Sequence, residues 1–218
     1  MNGILDGVWE RMRDIGLAAL AHANTHAAYY DKNNPRWAEL SILQAAHAAE
    51  IIFKARIAQE HPLLIFEKLP ELKEETQIVT QEQMLDGITI IWSKIPNTLK
   101  ATTGITMPNL SNFKEFGKIR NGVQHFGILK NPEKASDDTL GFIFSVVDPF
   151  IKECWGLYAV DYNEDPKKYR SFPSLLIERG IDFNVSPKLI EYRDNWGVEE
   201  RKLYGLFPQR LGEYINNH

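Results

Sequence analysis

Arg120, Asn121 and His125 share one short span in the stretch NFKEFGKIRNGVQHF, residues 112–126. Arginine is a permanent cation whose fork of donors matches phosphate oxygens, and histidine takes or gives a proton near neutral pH. Held near one phosphodiester, the two make a phosphoryl-transfer pair. Asn121 adds an uncharged donor and acceptor suited to orienting an imidazole or a ribose hydroxyl. The element that must hold them is a helix. Phe113, Phe116 and Ile119 recur at helical spacing, and Val123 and Phe126 roughly continue the series, so one face is apolar and anchored in a core. Residues five apart on an ideal helix are rotated by about 140°. Arg120 and His125 therefore meet at one substrate only if the helix kinks or ends near Gly122, or if two copies of the chain each supply a set. The second route is favoured.

The run Arg120-Asn121-Gly122-Val123-Gln124-His125 resembles the R-x4-6-H motif of the HEPN superfamily (higher eukaryotes and prokaryotes nucleotide-binding domain), in which a polar residue often follows the arginine. The resemblance implies an all-α, HEPN-like helical bundle that dimerises and joins two such motifs into a composite, metal-independent ribonuclease site. By the same resemblance Arg120 holds the scissile phosphate. His125 assists attack of the ribose 2′-hydroxyl, leaving a 2′,3′-cyclic phosphate, and Asn121 supports the geometry. Phe126 and Gly127 follow His125, so the tyrosine of the R-x4-H-x-Y variant is absent, and control by its modification is not expected.

A second match to the spacing, Arg56 to His61, is separated from the first by its surroundings. It has Ile57 after the arginine, ends at Pro62 and leads into a stretch where Glu67, Glu71, Glu74, Glu75, Glu82 and Asp86 outnumber Lys68 and Lys73. Between Lys94 and Lys134 the balance is reversed, with Lys94, Lys100, Lys114, Lys118, Arg120, Lys130 and Lys134 against Glu115 and Glu133. In a chain of net charge −4 that is where a polyanion is expected to dock, with Lys114, Lys118 and Lys130 as substrate-binding residues and RNA as the partner.

With 218 residues the chain can bury one sizeable core, and 44% hydrophobic with 25% charged residues is an ordinary globular composition. The acidic balance argues against a surface coated in positive charge for duplex nucleic acid. A single cysteine, Cys154, excludes an intrachain disulfide framework and a cysteine-rich zinc site. Charges interrupt the opening MNGILDGVWERMRD where a signal peptide needs an apolar core, and no run approaches the roughly 20 apolar residues of a membrane span. A soluble, cytoplasmic protein with no membrane partner is expected.

Along the chain, residues 4–30 and 36–60 read as the first two helices. In the first, His22 and His26 are four apart and could face one metal. Ala23 stands where a zincin motif has its glutamate and no third ligand is evident nearby, so no metal and no cofactor are expected. In the second, His47, Glu50 and Lys54 form one polar line. It reads either as a network that orients Arg120 and His125 from behind or as an ordinary ion pair between Glu50 and Lys54. Residues 80–95 read as a third helix, with Thr80 and Gln83 as a capping box and Met84, Ile88, Ile91, Trp92 and Ile95 on its buried side. Residues 96–108 read as a mobile loop able to gate substrate entry. After the motif helix, Asp137 or Asp138 is expected to cap a strongly apolar helix from Thr139 that Pro149 kinks or divides and that buries Cys154. A boundary near Tyr162 separates a HEPN-like helical domain, 1–160, from a short, mainly helical C-terminal extension, 161–218, with a possible strand at IDFNV and a basic turn at Lys167, Lys168 and Arg170.

The expectation is thus a homodimeric endoribonuclease, toxin-like or related to phage defence. The alternative is a non-catalytic HEPN-like module that binds nucleotide, RNA or protein, in which His125 is a satisfied helix-end histidine and Arg120 a structural ion-pair donor. A third form is an effector held inert until an antitoxin or other regulatory protein docks, with the acidic segment Glu67 to Asp86 as the docking face.

Overall fold

Helix formers dominate the chain, and in the computed structural model they fold into an all-α arrangement with one small two-stranded ribbon. The structure describes residues 5–29, 31, 33–34, 36–69, 79–164, 171–194 and 207–217. The acidic residues Glu71, Glu74 and Glu75 with Lys73, and the basic turn Lys167, Lys168 and Arg170, lie outside them. In chain order the elements are α1 (Val8–Ala28), α2 (Trp37–Glu60), β1 (Phe66–Lys68), α3 (Gln81–Met84), β2 (Ile88–Thr89), α4 (Ile95–Thr103), α5 (Leu110–Phe126), α6 (Ala135–Phe142), α7 (Asp148–Trp155), α8 (Ser171–Glu178), α9 (Pro187–Asp194) and α10 (Phe207–Asn217). No helix among the described residues is long and apolar enough to cross a membrane.

The chain divides into two compact units, the first built from residues 1–18 and 47–107 and the second from 19–46 and 108–218. The sequence boundary at 160/161 falls inside the second.

In the first unit, small residues set how closely two helices approach. A Cβ added at Gly16 of α1 would stand 2.6 Å from Ile52 Cγ1 of α2, so the glycine is what admits the isoleucine. Ile52, Phe53, Ile57, Ile95 and Leu99 of this unit are fully buried. The capping box at Thr80 and Gln83 forms as read, but the helix it starts stops at Met84. Gly87 and the β-branched run Ile88-Thr89-Ile90-Ile91 favour extended chain, and β2 pairs antiparallel with β1, Phe66 facing Thr89. Ile88 and Ile91, expected on a buried helix face, are more than half exposed instead. The gating loop is also corrected. Pro96 sits in the first turn of α4, where its missing N–H costs nothing, and the helix runs to a left-handed Gly104.

The second unit has an aromatic core. Phe116 of α5 stacks on Phe142 of α6 with ring centroids 3.9 Å apart and planes 1° from parallel, both fully buried. Between α6 and α7 the chain makes a π turn, Ile143–Val147, so the division expected at Pro149 is a widened helical turn with the proline in the first turn of α7. Asn112 of α5 reaches this turn, donating through Nδ2 to Ser145 Oγ (2.8 Å) and to Gly141 O (3.3 Å). Asp137 and Asp138 lie in the first turn of α6 rather than capping it. Cys154 is half-buried.

Residues after 160 complete this core. The carboxylate of Asp148, fully buried, accepts Ala159 N–H at Oδ1 and both the backbone N–H and Nδ2 of Asn184 at Oδ2, each at 2.8 Å. Burial pushes its carboxyl above the ordinary range, opposed by those hydrogen bonds. The IDFNV segment forms no strand. Its Phe183 stacks on Tyr214 of α10 at 4.5 Å and meets Phe144 edge-on.

Candidate functional site

Asn109 starts α5 from a left-handed conformation that asparagine tolerates, its side chain accepting from Asn112 N–H. The helix then runs uninterrupted through Arg120 and His125 and ends at Phe126, closed by left-handed Gly127. A break near Gly122 is therefore not how this backbone behaves. Phe113, Phe116 and Gly117 form its buried face.

Helical rotation decides where the polar groups go. Arg120 lies within about 40° of Phe113 and Phe116, on the core side. It is half-buried, and its Nη1 donates to Asn121 Oδ1 at 3.1 Å. Lys114, Lys118, Asn121 and His125 stand at i, i+4, i+7 and i+11, within about 60° of one another, a stripe about 16 Å long on the outer side. All four are exposed. His125 makes an edge contact with the Phe126 ring, 6.3 Å between centroids, and has no hydrogen-bond partner among the described residues. Lys118 pairs with Glu115 at 2.9 Å, a solvent-screened contact.

Behind this stripe the chain turns at Gly127 and returns along α5, enclosing an open cavity of about 340 Å³. Lys118, Ile119, Gly122, Ile128, Lys130 and Asp138 line it. Lys118 and Lys130 are thus brought together, whereas Arg120, Asn121 and His125 are not among its walls. Burial raises the Asp138 carboxyl, with Lys134 opposing the shift. Beside His125 the surface is apolar, Phe126 being 73% and Ile128 65% exposed.

The other nominated residues have local explanations. Glu50 and Lys54 form a partly buried ion pair at 2.7 Å, and Lys54 Nζ also donates to Thr89 Oγ1 at 3.1 Å. His47 is exposed. All three belong to the first unit and the α5 residues to the second. In the competing Arg56–His61 match both side chains are engaged: Arg56 pairs with Glu60 at 2.7 Å, and His61 Nδ1 accepts Leu63 N–H at 3.2 Å to cap a short 3₁₀ turn.

Of a second cluster the sequence showed the two histidines but not the third member. His22 and His26 on one face of α1 meet Glu164, and one ligand atom from each lies within 4.8 Å of the others. His22 Nδ1 contacts Glu164 Oε1 directly. The segment carrying the glutamate is fastened to α1. Asn24 Nδ2 donates to Ala159 O (3.0 Å) and Tyr162 O (2.8 Å), Thr25 Oγ1 donates to Asn163 Oδ1 (3.3 Å), and Glu164 N–H donates to Thr25 Oγ1 (3.3 Å). The His26 ring packs against Trp37, centroids 3.8 Å apart and planes tilted by 41°, and its Nδ1 is buried without a hydrogen-bond partner among the described residues. Burial holds its imidazole below the usual range, against the pull of Glu164.

The chain matches no family model, no curated protein and no solved structure. Its chemistry is therefore argued from its own residues.

Proposed function

We propose that the protein is a metal-independent endoribonuclease of the HEPN type, working as a homodimer. The observation that carries this is the outer stripe of α5, where Lys114, Lys118, Asn121 and His125 are exposed in one line within the basic stretch of the chain. A stripe of that length spans two to three phosphates of a single strand, and lysines along it neutralise backbone charge. An exposed imidazole at its end is free to accept the 2′-hydroxyl proton. As that oxygen bonds to phosphorus, the bond to the 5′ oxygen breaks. The 5′ oxygen leaves as a hydroxyl once it receives a proton, and a 2′,3′-cyclic phosphate remains.

Arg120 of the same helix points about 140° away from His125, so the phosphate clamp for one imidazole comes from a second copy. The exposed Phe126 and Ile128 beside His125 support that arrangement, because covering a large apolar side chain gains about 1.5–3 kcal/mol. The Arg120–Asn121 hydrogen bond then fixes the fork that the partner's substrate meets. By the HEPN resemblance the setting is a toxin or an antiviral defence system, with a regulatory protein as further partner.

The test is cleavage of a labelled RNA pool in EDTA by wild type, His125→Ala and Arg120→Ala, with product ends analysed and the molecular mass in solution measured. Cleavage that leaves cyclic phosphates and is abolished by both substitutions in folded protein is the expected result. A folded dimer that binds the pool but does not cut it refutes catalysis. It favours a binding module, the reading to which the half-buried, hydrogen-bonded state of Arg120 lends itself.

A further inference from the structure

Two histidines one helical turn apart present their rings side by side, and such a pair becomes a metal site when a third donor arrives from elsewhere in the fold. That donor is Glu164. We propose that His22, His26 and Glu164 form a three-ligand site for a divalent transition metal, zinc being the ion its donors suit best, with the fourth position open to water.

Donor chemistry favours this assignment. Two imidazoles and one carboxylate match zinc and its neighbours, and are too rich in nitrogen for magnesium or calcium. On a tetrahedral zinc with bonds of about 2.0–2.2 Å, donor atoms stand about 3.3–3.5 Å apart. The cluster, already within 4.8 Å, needs only small side-chain rotations to close on an ion. Its backbone is held in advance: the hydrogen bonds from Asn24 and Thr25 to residues 159–164 set Glu164 opposite α1 at no further cost on binding. His26 brings an independent sign. A buried ring nitrogen without a partner is costly in a folded protein, and no protein group competes with a metal for it. The ring itself packs against Trp37 at 3.8 Å between centroids. The side chains of His22 and Glu164 are 52% and 34% exposed, so the site is reachable from solvent.

The ion ties α1 to the segment that leads out of α7, and so acts on the second unit's stability rather than on RNA chemistry. The inference does not rest on the ribonuclease reading. Metal-stripped protein that cuts RNA but binds zinc on readdition satisfies both, and either can fail alone.

The experiment uses the full chain without a histidine tag, stripped with chelator and dialysed. Zinc is titrated in competition with a chromophoric chelator, and cobalt(II) is added separately to read the visible spectrum of the bound ion. One zinc per chain, a four-coordinate cobalt spectrum and a rise in melting temperature with zinc are expected. Since losing an outer partner of a metal ligand costs 10–100-fold in affinity, loss of a ligand in Glu164→Gln or His22→Gln is expected to cost more than about 100-fold. Both positions are partly exposed, so these variants fold, which circular dichroism verifies. Substoichiometric uptake, or stoichiometric uptake that neither substitution weakens, overturns the site.

Discussion

Gly122 lies between Arg120 and His125, and replacing it with alanine sets two opposed effects against each other. Inside a helix, alanine is favoured over glycine by about 1 kcal/mol. At this position, however, the new Cβ would stand 2.9 Å from the carbonyl oxygen of Ile128, in the segment that returns along α5 after Gly127. The obstacle is backbone, held by the Ile128 N–H bond to Gly122 O at 3.1 Å, so it cannot swing aside as a side chain would. Overpacking of this kind costs about 1–3 kcal/mol. Taking its midpoint against the helix gain leaves Gly122→Ala about 1 kcal/mol less stable than wild type. Gly141→Ala is the control: nothing lies within 4 Å of its Cβ, so the propensity gain of about 1 kcal/mol stands alone and the variant is more stable. Urea unfolding of the three proteins measures both differences. Equal stabilisation by the two alanines would refute the close return of residue 128, and with it the cavity that holds Lys118 and Lys130.

The core and the site make further predictions. Phe116→Ala removes a buried ring stacked on Phe142 and is expected to cost about 3–5 kcal/mol in unfolding free energy, measured by denaturant titration. His125→Ala, at an exposed side chain, is expected to leave the melting temperature unchanged while RNA cleavage falls about 10²–10⁴-fold. Gly127→Ala meets open space but a φ of +60°, so backbone strain of about 1–2 kcal/mol appears as fraying of the end of α5 in hydrogen exchange. Because burial raises the Asp148 carboxyl, the folded state holds that proton more tightly than the unfolded chain does. The associated stability is full below the ordinary value of 3.8 and is lost as pH rises through the folded value. Asp148→Asn lacks this loss, so the stability of wild type relative to the variant is expected to decline from pH 3.5 to pH 7 in parallel unfolding curves.

What the sequence made legible was local. The apolar spacing of Phe113 and Phe116 located α5, and the Thr80–Gln83 pair located a helix start, because both signals lie within one or two turns of chain. The end of that helix was misread. Periodicity at Ile88 and Ile91 suits a helix face, yet β-branched residues after Gly87 also suit a strand, and Phe66 settled the matter from a different part of the chain. The nomination of Lys114 and Lys118 came from a local run of basic charge. Glu164 had no such signal: it stands far along the chain from His22 and His26, and no local pattern marks a glutamate that meets them only in the fold. The change of composition past Tyr162 likewise placed Phe183 and Asn184 in an appendage, because nothing near them announces the aromatic core and the buried carboxylate they serve.

The fastening of α1 to residues 159–164 also governs how the chain is made. Asn24 is synthesised 135 residues before Ala159, whose carbonyl it binds. At a ribosomal pace of about 5–20 residues per second, roughly 7–27 s pass between them. During that interval Asn24 lacks the carbonyls of Ala159 and Tyr162, and the aromatic core waits longer still for Phe183 and Tyr214. A polypeptide stopped at residue 160 leaves the buried Asp148 carboxylate without its two Asn184 donors and Phe144 without Phe183.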